Sequence, residues 1–159
     1  FRSTGAVVPE WYVFEFPDWV NVIARTVEGE FVMISQYRHA LGETRYELVA
    51  GTCEEGETAE QSARRELLEE TGYAGGVWRR YMVTSPNPTN HTNRVYTFLA
   101  EGVERVAEQH TEAGEDIKVH LMSIGEVREL LDGDEIMQCL HAAPLWRYMA
   151  ENPPQPIAR

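Results

Sequence analysis

Apolar and polar positions in the first half of the chain form short runs that end at turn residues. The runs are rich in β-branched and aromatic residues, which is typical of strands. Pro17 and Asp18 separate the first two runs. A turn at residues 28–30 precedes the third run, whose continuous apolar positions indicate a strand buried on both faces. The predicted strands are residues 11–16, 20–24, 31–37 and 46–50.

Residues 58–71 carry the signals of a helix at both ends. Thr58 as N-cap and Gln61 three residues later match a capping box, and Gly72 is suited to the position just past the last turn. The polar, glycine-containing residues 51–57 before it predict a loop. This helix is the best-defined element of the sequence.

The second half of the chain continues with strands and helices. Prolines and asparagines place residues 85–93 in a surface loop. Ser123 and Glu126 match a second capping box, for a helix through residue 131. The predicted elements are strands at 77–84, 94–100 and 117–122, one or two helices around Pro144 within 135–150, and an extended tail at 152–159. This order predicts an α/β or α+β fold in three layers with a mixed sheet.

Length and composition narrow the possible classes. At 159 residues the chain is expected to form one compact domain over residues 1–159. Two cysteines, Cys53 and Cys139, far apart in sequence, favour a reducing, cytoplasmic setting over a disulfide scaffold. No run approaches the length of a membrane span and no leader pattern precedes the first strand, so we expect a soluble protein. The net charge of −12 disfavours nucleic acid as a partner.

Three glutamates of the predicted helix suggest a metal site. Glu66, Glu69 and Glu70 stand at i, i+3 and i+4, so their side chains fall on one face and are expected to converge. Hard oxygen ligands favour Mg²⁺, with Mn²⁺ as a possible substitute, because Mg²⁺ prefers carboxylates and phosphate oxygens. An acidic helix face is more often merely solvated, and the glutamates alone leave that alternative open.

The residues around these glutamates resemble the Nudix box. From Gly51 the pattern runs through Glu57 and Arg65-Glu66-Leu67 to Glu69-Glu70 and Gly72-Tyr73. The resemblance implies a Nudix-type α/β/α sandwich whose glutamates, Glu66, Glu69 and Glu70, hold metal against a diphosphate. It also implies that Arg65 orients a glutamate of the box and that Ala50 offers its backbone carbonyl to the metal. Glu57 is then structural or lies in the outer shell of the metal, and Gly51 permits a tight entry into the loop.

Outside the box, several segments resemble the ADP-ribose pyrophosphatase branch of the family. They are Asp18-Trp-Val-Asn-Val22, Gln36-Tyr-Arg-His39 and Glu47-Leu-Val-Ala-Gly51. The resemblance makes Arg38 a candidate for binding the diphosphate, a task that suits a forked guanidinium. Any of the early aromatic residues Trp11, Tyr12, Phe14 and Trp19 could stack on a base, with Trp19 as the chosen candidate. Pro86 matches a proline that marks ADP-ribose enzymes. A core role for Trp19 and a plain surface role for Arg38 remain alternatives.

The same branch has acidic residues before a late strand, and Gly114-Glu-Asp-Ile117 takes that place here. Glu115 is therefore a candidate metal ligand or the base that activates water, with Glu112 as the alternative base. A solvated acidic loop is the competing interpretation. Among the histidines, none has a partner at metal-ligand spacing, and only His91 falls on a predicted substrate loop.

The sequence thus predicts a Mg²⁺-dependent hydrolase of a nucleoside diphosphate derivative, with ADP-ribose cut to AMP and ribose 5-phosphate as the leading substrate. Another NDP-sugar, a dinucleotide cofactor or a dinucleoside polyphosphate is the alternative, because the box recognises only the diphosphate. A non-catalytic nucleotide-sensing Nudix module is a further alternative. The aromatic residues within 1–16 also predict a homodimer built partly from N-terminal strands.

Overall fold

The computed structural model describes residues 5, 7, 9–111 and 116–153. In these ranges seven strands and three helices are present. The strands are β1 Trp19–Thr26, β2 Phe31–Arg38, β3 Glu43–Glu47, β4 Val49–Thr52, β5 Tyr73–Thr84, β6 Val95–Arg105 and β7 Ile117–Met122. The helices are α1 Ala59–Thr71, α2 Ile124–Asp132 and α3 Cys139–Glu151. No helix in the described ranges is long and apolar enough to cross a membrane.

The strands form one mixed sheet. Its main order is β3-β2-β1-β6-β5, while β4 pairs with β1 and β7 pairs with β2. The central β1–β6 pair is parallel and the other pairs are antiparallel. The predicted α/β/α sandwich with a mixed sheet is confirmed.

Two apolar clusters fill the space between the sheet and the helices. One lies under α1 and contains Ala63 and Leu67 together with residues of the central strands. The other lies under α2 and α3 and contains Val127, Leu145 and Tyr148. Residues that alternate along β1, such as Val22 and Ile23, belong to different clusters, because successive side chains of a strand point to opposite faces. The helices therefore cover both faces of the sheet, in three layers.

Three of the predicted elements need correction. The predicted strand 11–16 is not a strand: a single bridge joins Phe14 to His91, so this segment lies along a loop rather than in the sheet. The predicted strand 46–50 is two strands, because β3 pairs with β2 whereas β4 pairs with β1. The segment 135–150 forms one helix, α3, that starts only at Cys139, after Asp134 at a positive φ of 57°. The tail beyond residue 153 lies outside the described residues.

Helix α3 continues through Pro144 because the sheet supplies a substitute hydrogen bond. Proline has no N–H, so the carbonyl of Leu140, four residues earlier, loses its helical donor. The buried side chain of Asn21 on β1 donates from Nδ2 to this carbonyl at 2.6 Å. The contact anchors the first turn of α3 beneath β1.

The same turn buries His141 completely. Its Nε2 lies 3.0 Å from Oε1 of Gln138 and 3.6 Å from Oε2 of Glu47. Burial lowers the pKa of His141 from 6.5 to about 4, although Glu47 opposes this shift; Arg38 adds to it. His141 is therefore neutral in the folded protein at neutral pH.

This burial predicts that stability falls in mild acid. Below pH 6.5 the unfolded chain protonates this histidine while the folded protein does not, so stability is present above that pH and is lost as the pH falls toward about 4. Between a pH of about 7.5 and about 5, the free energy of unfolding should fall by about 2 kcal/mol from this group. Urea unfolding at both pH values measures the effect, and His141→Gln should remove most of it. An equal pH dependence in both proteins would contradict the assignment.

Candidate active site

A cleft of about 260 Å³ opens between α1, β4 and the end of β2. Four carboxylates and two arginines line it. The residues predicted from the sequence that lie on its wall are Trp19, Arg38, Ala50, Arg65, Glu66, Glu69 and Glu70. The fold thus brings together side chains from β1, β2, β4 and α1.

Local signals hold α1 in place against this cleft. Thr58 caps the helix with both halves of a capping box, as predicted. Gly72 ends it at a left-handed φ of 75°, and its N–H donates to the carbonyl of Leu68. Ala63 and Leu67 are fully buried, which sets the rotation of the helix and turns Glu66, Glu69 and Glu70 toward the cleft.

Arg65 is the centre of an ion-pair network at the cleft. Its Nη1 donates to Glu66 at 2.9 Å and to Glu69 at 3.2 Å, and its Nε donates to Glu57 at 3.2 Å. Its Nη2 donates to the carbonyl of Thr52 at 3.2 Å. Partial burial lowers the pKa of Arg65, but the hydrogen bonds to Glu57, Glu66 and Glu69 outweigh it and raise the pKa overall. Arg65 thus donates hydrogen bonds to three glutamates, Glu57, Glu66 and Glu69, in a larger network than an isolated exposed ion pair.

Glu57 fixes the other end of this network. Its carboxylate accepts a hydrogen bond from Ser62 Oγ at 2.7 Å as well as those from Arg65. The hydrogen bond from Ser62, followed by that from Arg65, lowers the pKa of Glu57. The loop before α1 is thereby tied to the helix, as expected of a structural residue.

Gly51 leaves room for a carboxylate. A Cβ at this position would lie 2.0 Å from Oε1 and 2.1 Å from Cδ of Glu66. Gly51 lies inside β4 and does not have a positive φ. The expectation that it permits a tight loop entry is therefore wrong, since its backbone is ordinary strand and the close approach of Glu66 is what requires glycine.

Glu70 is a buried carboxylate at the base of the cleft, and its Oε2 accepts a hydrogen bond from the backbone N–H of Ala50 at 3.3 Å. All three glutamates line the same cleft, where Glu66 and Glu69 accept hydrogen bonds from Arg65 while Glu70 accepts one from Ala50 of β4. Within the described ranges, no group of three or more His, Cys, Asp or Glu side chains is arranged as a ready metal site. Arg65 supplies a positive counter-charge to Glu66 and Glu69.

The chemistry of the donor set nevertheless fits a hard divalent cation. Its side-chain donors are carboxylate oxygens, and the carboxylate of Glu70 is almost fully buried at the base of the cleft, where it accepts a hydrogen bond from the backbone N–H of Ala50. Carboxylates beside an open cleft are the ligands that Mg²⁺ and Mn²⁺ take, together with waters and substrate oxygens.

A second, apolar cleft of about 280 Å³ adjoins the first. The two clefts share Trp19 and Thr52, and Pro86 and His91 of the predicted surface loop line the second one with Phe16. The indole N–H of Trp19 is buried without a hydrogen-bond partner in the described part of the chain. Trp19 is thus both part of the sheet and a wall between the two clefts.

Two residues near the clefts receive no role from the sequence, although Glu47 begins one of the segments that resemble the ADP-ribose pyrophosphatase branch. His110 lines the acidic cleft, and its backbone N–H donates to the carbonyl of Glu69 at 2.8 Å. Glu47 is buried beside Arg38. Both are placed by contacts between segments distant in sequence, which spacing along the chain does not reveal. Glu112 and Glu115 lie outside the described residues.

Comparison with known proteins identifies the family. The family model of the NUDIX domain matches residues 16–142. The chain belongs to the Nudix family. Nudix hydrolases generally use divalent metal ions, in agreement with the oxygen donors of the acidic cleft.

Several Nudix relatives are similar over much of this chain. An ADP-ribose pyrophosphatase of Bacillus subtilis is 37% identical over 112 residues, covering 70% of this chain and 60% of the relative. An ADP-ribose pyrophosphatase of Mycobacterium tuberculosis is 35% identical over 137 residues, covering 84% and 66%. An ADP-sugar pyrophosphatase of Mus musculus is 37% identical over 86 residues, covering 52% and 39%. The matches therefore span about two thirds or less of these relatives.

The fold has a counterpart among solved structures. A crystal structure described as an ADP compounds hydrolase superimposes with a TM-score of 0.74, covering 86% of this chain and 74% of the other. Sequence identity is 16%. This likeness confirms the Nudix fold, and the sequence relatives place the chain near the ADP-ribose pyrophosphatase branch.

Proposed function

We propose that this protein hydrolyses the diphosphate linkage of an ADP-ribose-type substrate, with ADP-ribose cut to AMP and ribose 5-phosphate as the leading reaction. The observation that carries the proposal is the pair of adjoining clefts: an acidic one lined by Glu66, Glu69 and Glu70, and an apolar one that shares Trp19 with it. A diphosphate suits the first, and a base or sugar suits the second. The names of the ADP-ribose and ADP-sugar pyrophosphatase relatives support the same substrate class.

Mg²⁺, or Mn²⁺ in its place, is the proposed cofactor, held by Glu66, Glu69 and Glu70 with the carbonyl of Ala50. When bound, such an ion would lower the pKa of the attacking water and neutralise negative charge on the phosphate oxygens. A cation in the cleft would compete with Arg65 for Glu66 and Glu69, because the same carboxylate oxygens accept from its guanidinium. Arg65 is then the residue that keeps these carboxylates oriented at the cleft.

The base that accepts the proton of water is proposed to be Glu115, with Glu112 as its alternative. Support comes from the chain on either side: His110 lines the acidic cleft, and β7 begins at Ile117. The acidic segment 112–115 connects the two. A carboxylate suits this role, since proton transfer requires a group within hydrogen-bond reach of the water.

The apolar cleft is proposed to bind the adenine end of the substrate. Trp19, Pro86 and His91 all line this cleft, and the indole N–H of Trp19 has no hydrogen-bond partner among the described residues. An indole that stacks on a base contributes to binding more than to chemistry. Trp19 and Pro86 are therefore proposed as specificity residues.

A panel of nucleoside diphosphate derivatives with Mg²⁺, with products resolved chromatographically, tests the proposal. We expect ADP-ribose to be cut to AMP and ribose 5-phosphate with the highest kcat/KM, and Trp19→Ala to raise its KM about tenfold with little change in kcat. Trp146→Ala is the matched control, because Trp146 lies on α3, outside both clefts. A preference for substrates without adenine, unchanged by Trp19→Ala, would contradict the base assignment.

The alternative substrates are another NDP-sugar, a dinucleotide cofactor and a dinucleoside polyphosphate, and the same panel distinguishes them. A nucleotide-sensing module without turnover is a different class of function. The presence of Arg65 and all three glutamates in one cleft favours catalysis. Absence of turnover together with tight ADP-ribose binding would favour the sensor.

We also propose that residues 1–159 act as one Nudix domain that forms a homodimer in a cytoplasmic setting. Trp11, Tyr12, Phe14 and Phe16 are each at least about half exposed, and a second copy that covers them would bury this apolar surface. The free thiols of Cys53 and Cys139 suit a reducing compartment. Light scattering at micromolar concentration measures the oligomeric state.

A further inference from the structure

The side chain of Glu47 is a buried carboxylate behind the acidic cleft. It stands at the end of β3, and only 3% of its side chain is exposed. A carboxylate is costly to bury unless a positive group and hydrogen bonds compensate it. The groups in contact with Glu47 must therefore compensate the cost of burying its carboxylate.

Arg38 is its charged partner. The guanidinium donates from Nε to Oε1 of Glu47 at 2.7 Å and from Nη2 to Oε2. Two parallel bonds of this kind fix both the position and the plane of a guanidinium. Nε2 of His141 also lies 3.6 Å from Oε2 of Glu47, but burial depresses the pKa of His141 and leaves it neutral at neutral pH. Arg38, and not His141, is therefore the positively charged partner of the Glu47 carboxylate.

Arg38 also reaches the acidic cleft. Its side chain is 36% exposed and lies on the cleft wall with Glu66, Glu69 and Glu70. An arginine without an anchor in such a cleft would turn to one of these carboxylates and compete with any cation there. Glu47 holds the guanidinium on the wall instead, where phosphate oxygens of a substrate would meet it.

We propose that Glu47 is a positioning residue, whose buried carboxylate holds Arg38 on the cleft wall in place to bind a phosphate oxygen of the nucleoside diphosphate. The inference rests on the proposed function and adds to it the residue that sets the geometry of its arginine. Ordering the guanidinium before the substrate arrives lowers the entropic cost of binding it.

The test is a double-mutant cycle on ADP-ribose hydrolysis at saturating Mg²⁺. Glu47→Gln keeps the size of the side chain and removes its charge, while Arg38→Ala removes the guanidinium. Each should lower kcat/KM about tenfold or more, mainly through KM. The double variant should be no worse than the more impaired single variant, because both remove the same contact. Arg38→Lys should also be impaired, since it keeps the charge but loses the fork.

Glu43→Gln is the matched control. Glu43 is on the same strand and forms an ion pair with Arg45, but neither residue lines the acidic cleft. Its KM should equal that of the wild type. Thermal unfolding of every variant separates a loss of stability from a loss of positioning.

Two results would overturn the inference while leaving the proposed function intact: an unchanged KM in Glu47→Gln, or losses that add in the double variant. If the wild type binds ADP-ribose without hydrolysing it, the same cycle is measured on the dissociation constant from calorimetry. A wild type that neither hydrolyses nor binds ADP-ribose would overturn the proposed function, and the inference with it.

Discussion

Glu66→Gln, Glu69→Gln and Glu70→Gln are each expected to lower kcat by on the order of 100-fold or more while the protein stays folded. Each change removes charge from the acidic cleft without removing volume. Glu70 is almost fully buried and Glu66 is only 15% exposed in its side chain, so these two should have the largest effects. The side chain of Glu69 is 44% exposed, so water can replace part of its interaction and Glu69→Gln should lower kcat less than the other two changes.

The helix that carries these residues also provides the control. Glu60 lies on α1 and pairs with Arg64 on the exposed side, outside the acidic cleft. Glu60→Gln should therefore leave kcat unchanged. Rates measured across a Mg²⁺ titration should show a higher requirement for the ion in the three cleft variants. Near-wild-type turnover in all three at limiting Mg²⁺ would remove the metal assignment.

Helix α1 could be predicted almost to the residue because its signals are local. The Thr58 and Gln61 box, the buried positions Ala63 and Leu67, and Gly72 all lie within one short segment. Hydrogen bonds between residues a few positions apart fix where such a helix begins and ends, so both partners of each bond can be identified in one short stretch of sequence. The same holds for α2, with Ser123 and Glu126.

The elements that were predicted wrongly depend on distant partners. The aromatic residues around Phe14 have the composition of a strand, but the partner of Phe14 is the loop at His91 and not a strand. Residues 46–50 form one short, mostly apolar segment in sequence, yet the chain changes its partner from β2 to β1 at Leu48. Pattern along the chain reports which residues are apolar and does not report which strand each will join.

The candidate site divides in the same way. Spacing on α1 places Glu66, Glu69 and Glu70 on one face, and the resemblance to the Nudix box adds Arg65; one helix positions all four. The pair of Arg38 with Glu47, and the contact of Asn21 with α3, join segments that only the folded sheet brings together. The spacing of the glutamates also does not show that the guanidinium of Arg65 pairs with two of them.

Gly51→Ala is expected to give a folded protein with a kcat lowered by about 10- to 100-fold. The added Cβ would lie within 2.6 Å of both carboxylate oxygens of Glu66, so this side chain must move. The backbone of Gly51 needs no left-handed conformation, and the atoms that must yield are at the end of a flexible side chain. The thermal midpoint should therefore stay close to that of the wild type while the carboxylate leaves its place in the cleft.

A second glycine should show the opposite result. Gly42 has a φ of 72°, and no atom lies within 4 Å of the position that a Cβ would take, so Gly42→Ala should cost about 1 kcal/mol of stability and leave kcat unchanged. The combination of Gly51→Ala with Glu66→Gln should be no slower than Glu66→Gln alone, because the first change acts through the carboxylate that the second removes. An additive loss would show that Gly51 acts on something other than Glu66. If Gly51→Ala unfolds, although the side chain of Glu66 is free to move away from the new Cβ, Gly51 is required for the fold and not for the geometry of the cleft.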